Sequence, residues 1–154
     1  MLKSASAIRQ TQKIIFREII TTALRKSLND AFPQIDTGIS EQDIEICTKI
    51  WMLGAIPTGD ENPRDILGKL SDKTLAHMAS KESAPGQPAH MICQLSLLEW
   101  CRRNGHLNGD WNWQWENDNG LRGKANFIPK IPLEEALSIL RASCVETVQK
   151  LNKV

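Results

Sequence analysis

The run Asp-Trp-Asn-Trp-Gln-Trp-Glu at residues 110–116 constrains the fold of this chain more than any other stretch. Its tryptophans alternate strictly with polar residues; they are Trp111, Trp113 and Trp115. Successive side chains of a β-strand point to opposite faces, so this spacing predicts a strand with three indoles on one face. Asparagine and glycine at residues 117–120 predict a tight turn, because both accept a positive φ at little cost. The pattern therefore predicts a β-hairpin over residues 110–128.

Apolar residues at helical spacing predict about six α-helices in the rest of the chain. We expect them at residues 4–32, 41–56, 64–70, 71–80, 88–104 and 133–151. The segment 88–104 is apolar around nearly its whole circumference, which is typical of a buried central helix. Pro88 suits its first position, and Gly105 suits the position after its end. We predict a mainly α fold, with these helices packed around residues 88–104 and with one β-hairpin.

The length of 154 residues and the absence of a repeat or long linker predict a single domain over residues 1–154. Residues 1–32 are expected to form a long amphipathic helix, an arm for oligomerisation or for binding a partner. Its main apolar face is predicted at Ile8, Ile15, Ile19, Ala23, Ser27 and Phe32, widened by Phe16, Ile20, Leu24 and Leu28. A homodimer through the first and last helices is one arrangement that these faces allow.

The first two helices carry opposite charge. Residues 1–32 hold six basic and two acidic side chains, whereas residues 33–62 hold six acidic side chains and Lys49 alone. This predicts either an antiparallel pair with complementary rims or two surfaces for different partners. The whole chain has a net charge of +1, which argues against a polybasic nucleic-acid coat.

The four cysteines and the N-terminus indicate a reduced, cytoplasmic protein without a membrane partner. The cysteines lie in apolar helical surroundings, and their spacing matches no disulfide framework. The sequence contains neither a signal-peptide pattern at its start nor an apolar run of the roughly 18–20 residues that a membrane span needs.

Sequence patterns for catalysis or metal binding are weak, so we predict no catalytic residue, no cofactor and no metal. His90, Cys93, Cys101 and His106 are the best metal-ligand candidates. The two cysteines, however, lie eight residues apart, roughly 12 Å along a helix, and one zinc ion cannot bridge that distance. No nucleotide-binding or hydrolase fingerprint is present. A small enzyme centred on Cys101 and His106 is kept only as a third hypothesis.

The tryptophan face has three interpretations. The indoles could pack in the core, bind a protein partner, since tryptophan is enriched at interface hot spots, or stack against single-stranded nucleic acid or sugar. The last interpretation needs basic neighbours, and the hairpin region offers only Arg122, Lys124 and Lys130.

The order of elements from residue 41 to the end resembles a winged helix-turn-helix, as in small bacterial regulators of the MarR type. The resemblance includes Leu-Leu-Glu-Trp-Cys-Arg-Arg-Asn-Gly-His-Leu at residues 97–107, followed by a strand, a polar turn, a strand and a long helix. It implies a nucleic-acid-binding regulator that contacts phosphates through Arg102, Arg103, Arg122, Lys124 and Lys130. The segment 88–101 departs from this pattern, because it lacks the basic face that a recognition helix shows to the major groove.

We therefore predict a non-enzymatic interaction protein, acting as an adaptor, an inhibitor or a subunit of a larger assembly. The expected contacts with its protein partner are Trp111, Trp113 and Trp115, together with Arg9, Lys13 and Arg17 on the first helix. A winged-helix regulator that binds nucleic acid is the alternative.

Overall fold

The computed structural model describes residues 5–31 and 40–152. Within these ranges the chain forms six helices and one antiparallel sheet of two strands. They are α1 (Ala5–Ala31), α2 (Glu41–Ala55), α3 (Pro63–Leu67), α4 (Asp72–Ser80), α5 (Pro88–Arg103), β1 (Asn112–Asn117), β2 (Leu121–Asn126) and α6 (Leu133–Asn152). The prediction of a mainly α fold with one β-hairpin is confirmed, whereas the winged-helix resemblance is not.

Polar caps determine where several helices begin. The side chains of Ser40 and Ser71 accept hydrogen bonds from backbone N–H groups at the starts of α2 and α4. The helix predicted at residues 64–70 is wrong at its end, because α3 ends at Leu67. The carbonyls of Leu67 and Leu70 accept hydrogen bonds from the Arg103 guanidinium, which holds this segment in a turn. Ser4 and Phe32, the predicted ends of the first helix, lie outside the described residues.

Helix α5 lies at the centre of the fold, as predicted. It packs against α2, α3 and α4. Its buried side chains are Ile92, Cys93, Leu95, Ser96, Leu97, Leu98, Glu99 and Cys101. Most of the circumference of α5 is therefore used for packing inside the molecule.

Helix α1 buries the edge of its predicted apolar face and leaves the main stripe of that face in solvent. Ile15 and Ile19, on the predicted main face, are 53 % and 60 % exposed, whereas Ile20 and Leu24 lie in the core. The apolar residues of α1 cover more of its circumference than α2 and α4 can bury, so one of two adjacent apolar stripes stays in solvent. The predicted face was therefore wrong for its main stripe at Ile15 and Ile19, and right for Ile20 and Leu24, which the prediction placed at its edge.

The opposite charges of α1 and α2 pair with each other on the surface of the same chain. Arg17 lies 3.6 Å from Glu45, and both terminal nitrogens of the Arg25 guanidinium, Nη1 and Nη2, donate to the Glu41 carboxylate. Of the two arrangements that the charge pattern allowed, these contacts are those of an antiparallel pair with complementary rims.

Candidate functional site

The β-hairpin forms in the predicted place and presents two tryptophans side by side. Trp113 pairs with Ala125, and Trp115 pairs with Gly123. The two indole rings lie on the same face, 5.3 Å apart between centroids and 85° from parallel. Such edge-to-face packing is favourable for aromatic rings and holds both indoles in a defined orientation.

Gly123 makes room for the indole of Trp113. A Cβ atom at position 123 would lie 1.6 Å from Cζ2 of Trp113, which no real structure tolerates. The indole therefore lies directly across the backbone of β2, on the side where Gly123 has no side chain. Glycine is required here for close approach and not for an unusual backbone angle.

Trp111 does not belong to this surface. It precedes β1, is only 1 % exposed, and donates a hydrogen bond from Nε1 to Oε1 of Glu99 at 3.1 Å. The predicted surface of three indoles is thus reduced to two. The strand begins one residue after Trp111, and a buried carboxylate satisfies its N–H.

Glu99 is the hub of a buried ionic cluster that joins α5 to the hairpin. Its carboxylate accepts two hydrogen bonds of 2.8 Å from Arg102 and one of 3.0 Å from Arg103. Burial acts to raise the pKa of Glu99, but the hydrogen bonds from Arg102, Trp111 and Arg103 outweigh it and lower the pKa to about 2. The carboxylate is therefore charged at neutral pH, and the two arginines are bound to it.

Arg64 fastens the start of the hairpin to α3. It forms an ion pair with Asp110 and donates from Nε to the carbonyl of Trp111 at 3.2 Å. Its guanidinium carbon also lies 6.0 Å from the centre of the Trp111 ring. We did not predict this contact or the Glu99 cluster. The available signal was a glutamate in an otherwise apolar helix with arginines three and four residues later, since a buried charge needs partners.

An open cleft of about 520 Å³ lies between the hairpin, the first half of α5 and the end of α2. We call it the tryptophan cleft. One wall carries aromatic side chains, the opposite side is mainly aliphatic, and a few polar groups lie among them. The residues that define the cleft are Trp113, Trp115, Phe127, Leu53, Pro57, Met91, Leu95, Leu98, Gln87, His90 and Gln94.

The two indole N–H groups of the cleft have different surroundings. Nε1 of Trp115 donates to the carbonyl of Glu61 at 2.6 Å, which ties the hairpin to the loop after α2. Nε1 of Trp113 is buried and has no hydrogen-bond partner among the described residues. A buried donor without an acceptor costs about 1–3 kcal/mol and calls for an explanation.

The other predicted contact residues lie on separate surfaces. Lys13 lies on α1 beside the end of α2, and Arg17 is engaged by Glu45. Arg9 is part of α1, but its side chain is outside the described part of the structure. Arg122 and Lys124 lie on the outer face of the hairpin, away from the indoles, and Lys130 is exposed in the following loop.

The cysteine and histidine candidates are not assembled into a nucleophilic site. Burial raises the pKa of Cys101 to about 11, so its thiol stays protonated at neutral pH. The ring of His106 stacks at 5.4 Å from that of Trp100. Among residues 5–31 and 40–152, no group of three or more histidine, cysteine, aspartate or glutamate side chains could hold a metal ion. No helix of this described part is long and apolar enough to cross a membrane.

No protein family, curated protein or solved structure matches this chain.

Proposed function

We propose that this protein is a non-enzymatic interaction protein that binds an extended segment of a partner protein in the tryptophan cleft. The observation that carries the proposal is the cleft itself, an open groove of about 520 Å³ with Trp113, Trp115 and Phe127 among its lining residues. Tryptophan is the residue type most enriched at interface hot spots, and it binds best where neighbouring groups exclude water.

The shape and chemistry of the cleft favour a peptide over a compact ligand. The groove is open to solvent, and its lining is mainly aromatic and aliphatic. Aromatic-lined grooves of this kind bind extended, proline-containing segments, because such segments are already close to their bound conformation. Gln87 and Gln94 lie at the cleft and offer amide groups to the backbone of a bound segment.

The buried N–H of Trp113 supports the same function. Trp113 lines the cleft, so a backbone carbonyl of a bound segment could accept this N–H if binding reorients the indole. Binding would then relieve the cost of an unsatisfied donor. Trp115 would stay fixed, because its own N–H is already bound to the carbonyl of Glu61.

The nucleic-acid alternative has less support from the geometry. Arg102 and Arg103 both donate guanidinium N–H groups to Glu99, so fewer of their N–H groups are available to bind phosphates. Arg122 and Lys124 are exposed on the outer face of the hairpin, opposite the indoles, so they do not combine with the stacking surface.

Selection of peptides on the purified protein tests the proposal. Displayed random peptides would be selected on the wild-type protein, synthesised, and measured by isothermal titration against wild type, Trp115→Ala and Gln114→Ala. Gln114 neighbours Trp115 but points to the outer face of β1, so it is the matched control. We expect Trp115→Ala to weaken binding at least about 30-fold, or roughly 2 kcal/mol, and Gln114→Ala to leave it unchanged.

Two results would overturn this function. One is a selection that yields no peptide with saturable binding to the wild-type protein. The other is a set of selected peptides whose affinity is the same for wild type and for a Trp115→Ala variant that keeps the wild-type circular dichroism spectrum. Titration with mixed-sequence DNA at low salt serves as a parallel measurement, because binding that falls steeply with salt would favour the nucleic-acid alternative.

A further inference from the structure

A second apolar depression borders the end of α2 and shares no lining residue with the tryptophan cleft. It has a volume of about 590 Å³ and is formed between the outer stripe of α1 and the last residues of α2. We call it the α1 groove. Its lining residues are Gln12, Lys13, Ile15, Phe16, Ile19, Ala55 and Ile56.

Large aliphatic side chains are exposed in the α1 groove. Ile15 and Ile19 line it and are each more than half exposed, four residues apart on one face of α1. Large aliphatic side chains that lie together in solvent mark an interaction site, because covering them is favourable by roughly 25 cal/mol per Å². A groove between two helix surfaces, with apolar side chains at helical spacing, suits the apolar face of another helix.

The charge around the α1 groove indicates which charge the binding surface of a partner should carry. Residues 10–27 hold four basic side chains and a single acidic one, Glu18. Arg17 and Arg25 face acidic residues of α2, while Lys13 lies in the groove lining. With these two arginines already paired, Lys13 is the charged side chain of the described groove lining, and no acidic side chain is among those lining residues. A second copy of the chain laid along the same stripe would add Lys13 and no acidic partner for it. An acidic helix would instead meet complementary charge.

We infer that the α1 groove binds an amphipathic helix of a partner protein, with its apolar face against Ile15 and Ile19 and acidic residues along its flanks. This site is separate from the tryptophan cleft, so the inference does not depend on the function proposed above and can be tested independently of it.

A designed peptide probes the groove directly. The probe is a fluorescein-labelled helix of about 18 residues, with leucine on one face and glutamate on the flanks, long enough to be helical in water. Its binding to the full chain is followed by fluorescence anisotropy. A peptide with every glutamate replaced by lysine tests the role of charge.

Two isoleucines on α1 provide matched variants. Ile14 and Ile19 are both 60 % exposed, but only Ile19 lines the groove. Glutamine keeps a good helix propensity, so Ile14→Gln and Ile19→Gln both leave the fold intact. We expect Ile19→Gln to weaken binding of the glutamate peptide at least tenfold, Ile14→Gln to change it less than twofold, and Lys13→Glu to weaken it about fivefold. The lysine peptide should bind at least tenfold more weakly than the glutamate peptide.

Three outcomes would overturn the inference. The first is no saturable binding of the glutamate peptide, and the second is equal binding of the lysine peptide. The third is a concentration-dependent dimer of the protein alone, seen by light scattering and abolished by Ile19→Gln, since the groove would then be an interface between two copies. The variant Trp115→Ala should leave peptide binding at the groove unchanged, which separates this result from a failure of the tryptophan cleft.

Discussion

Glu99 determines how the hairpin is attached to the helices. Its carboxylate accepts hydrogen bonds from Arg102, Arg103 and Trp111, and each of these residues is at or beyond the C-terminal end of α5. A fully buried carboxylate that lost these donors would carry a large desolvation cost. The cluster is therefore expected to hold only while Glu99 is ionised.

The substitution Glu99→Gln should expose this dependence on charge. The folded pKa of about 2 lies below the ordinary value near 4.3, so the stabilisation is complete above the ordinary pKa and is lost as the pH falls through about 2. We expect the variant to lose about 3 kcal/mol of unfolding free energy at pH 7, with the difference from wild type shrinking between about pH 4 and pH 2. Urea unfolding across this pH range measures it. Glu116→Gln, at an exposed position of β1, is the control.

If the difference between wild type and Glu99→Gln were constant over that range, the carboxylate charge would not be what stabilises the cluster. The same series with Glu116→Gln shows whether lowering the pH changes stability through exposed acids, which are expected to contribute little.

A substitution at Gly123 offers a second test, because it changes the tryptophan cleft without removing any aromatic side chain. In Gly123→Ala the new methyl group overlaps the Trp113 ring, so the indole must move. We expect the fluorescence emission to shift and the affinity for cleft-selected peptides to fall at least tenfold. Lys124→Ala, on the outer face of the same strand, is the control. Unchanged peptide affinity in a folded Gly123→Ala variant would mean that the position of Trp113 does not matter for binding.

Helix α1 shows how neighbouring residues of one element can have opposite roles. Ile20 is 2 % exposed and contacts the core, whereas Ile19 is 60 % exposed. We expect Ile20→Ala to cost about 2–5 kcal/mol of unfolding free energy and Ile19→Ala to change it by less than about 0.5 kcal/mol. Chemical denaturation of both variants measures the difference. Similar losses in the two would show that the outer stripe is covered in solution.

The same helix shows which parts of the fold can be predicted from sequence. Periodicity identified α1, α5 and the hairpin, because the spacing of apolar residues reflects local backbone geometry. It could not select the packed stripe of α1, since both stripes are apolar and the choice depends on where α2 lies. Trp111 was assigned to the wrong surface for a similar reason. The alternation continues through it, but its contact is with Glu99, twelve residues earlier in the chain.

The tryptophan cleft was predictable only in part. The paired indoles of Trp113 and Trp115 follow from strand alternation. Their position opposite Gly123 and Ala125 does not, because we expected the partner strand at residues 124–128, whereas β2 is Leu121–Asn126 and the turn sets the register. The opposite side of the cleft depends on tertiary packing, because it comes from the end of α2 and the start of α5. No local pattern in those helices indicates that they face the hairpin.

A continuous core joins every helix of the described chain to the residues that lead into the hairpin. It extends from Ile20 and Leu24 on α1 through α5 to Leu140 on α6, and it includes Leu107 and Trp111 before the hairpin. Three contacts link the hairpin and the residues before it to the helical part of the fold. They are the hydrogen bond from Trp111 to Glu99, the ion pair of Arg64 with Asp110, and the hydrogen bond from Trp115 to Glu61. Elements that share one core and several cross-links are expected to unfold together.

We therefore predict a single unfolding transition for the whole molecule. Thermal unfolding would be followed by far-ultraviolet circular dichroism, which reports the helices, and by the fluorescence of a variant with Trp51→Phe and Trp100→Phe, whose remaining tryptophans are at the hairpin. The two midpoints should coincide, and Glu99→Gln in the same background should lower both equally, because the cluster connects α5 to the hairpin. A fluorescence transition well below the helical one would show that the hairpin detaches before the helices unfold. The tryptophan cleft would then be able to rearrange when it binds a partner, and the hydrogen bond from Trp115 to Glu61 would not be enough to fix the hairpin.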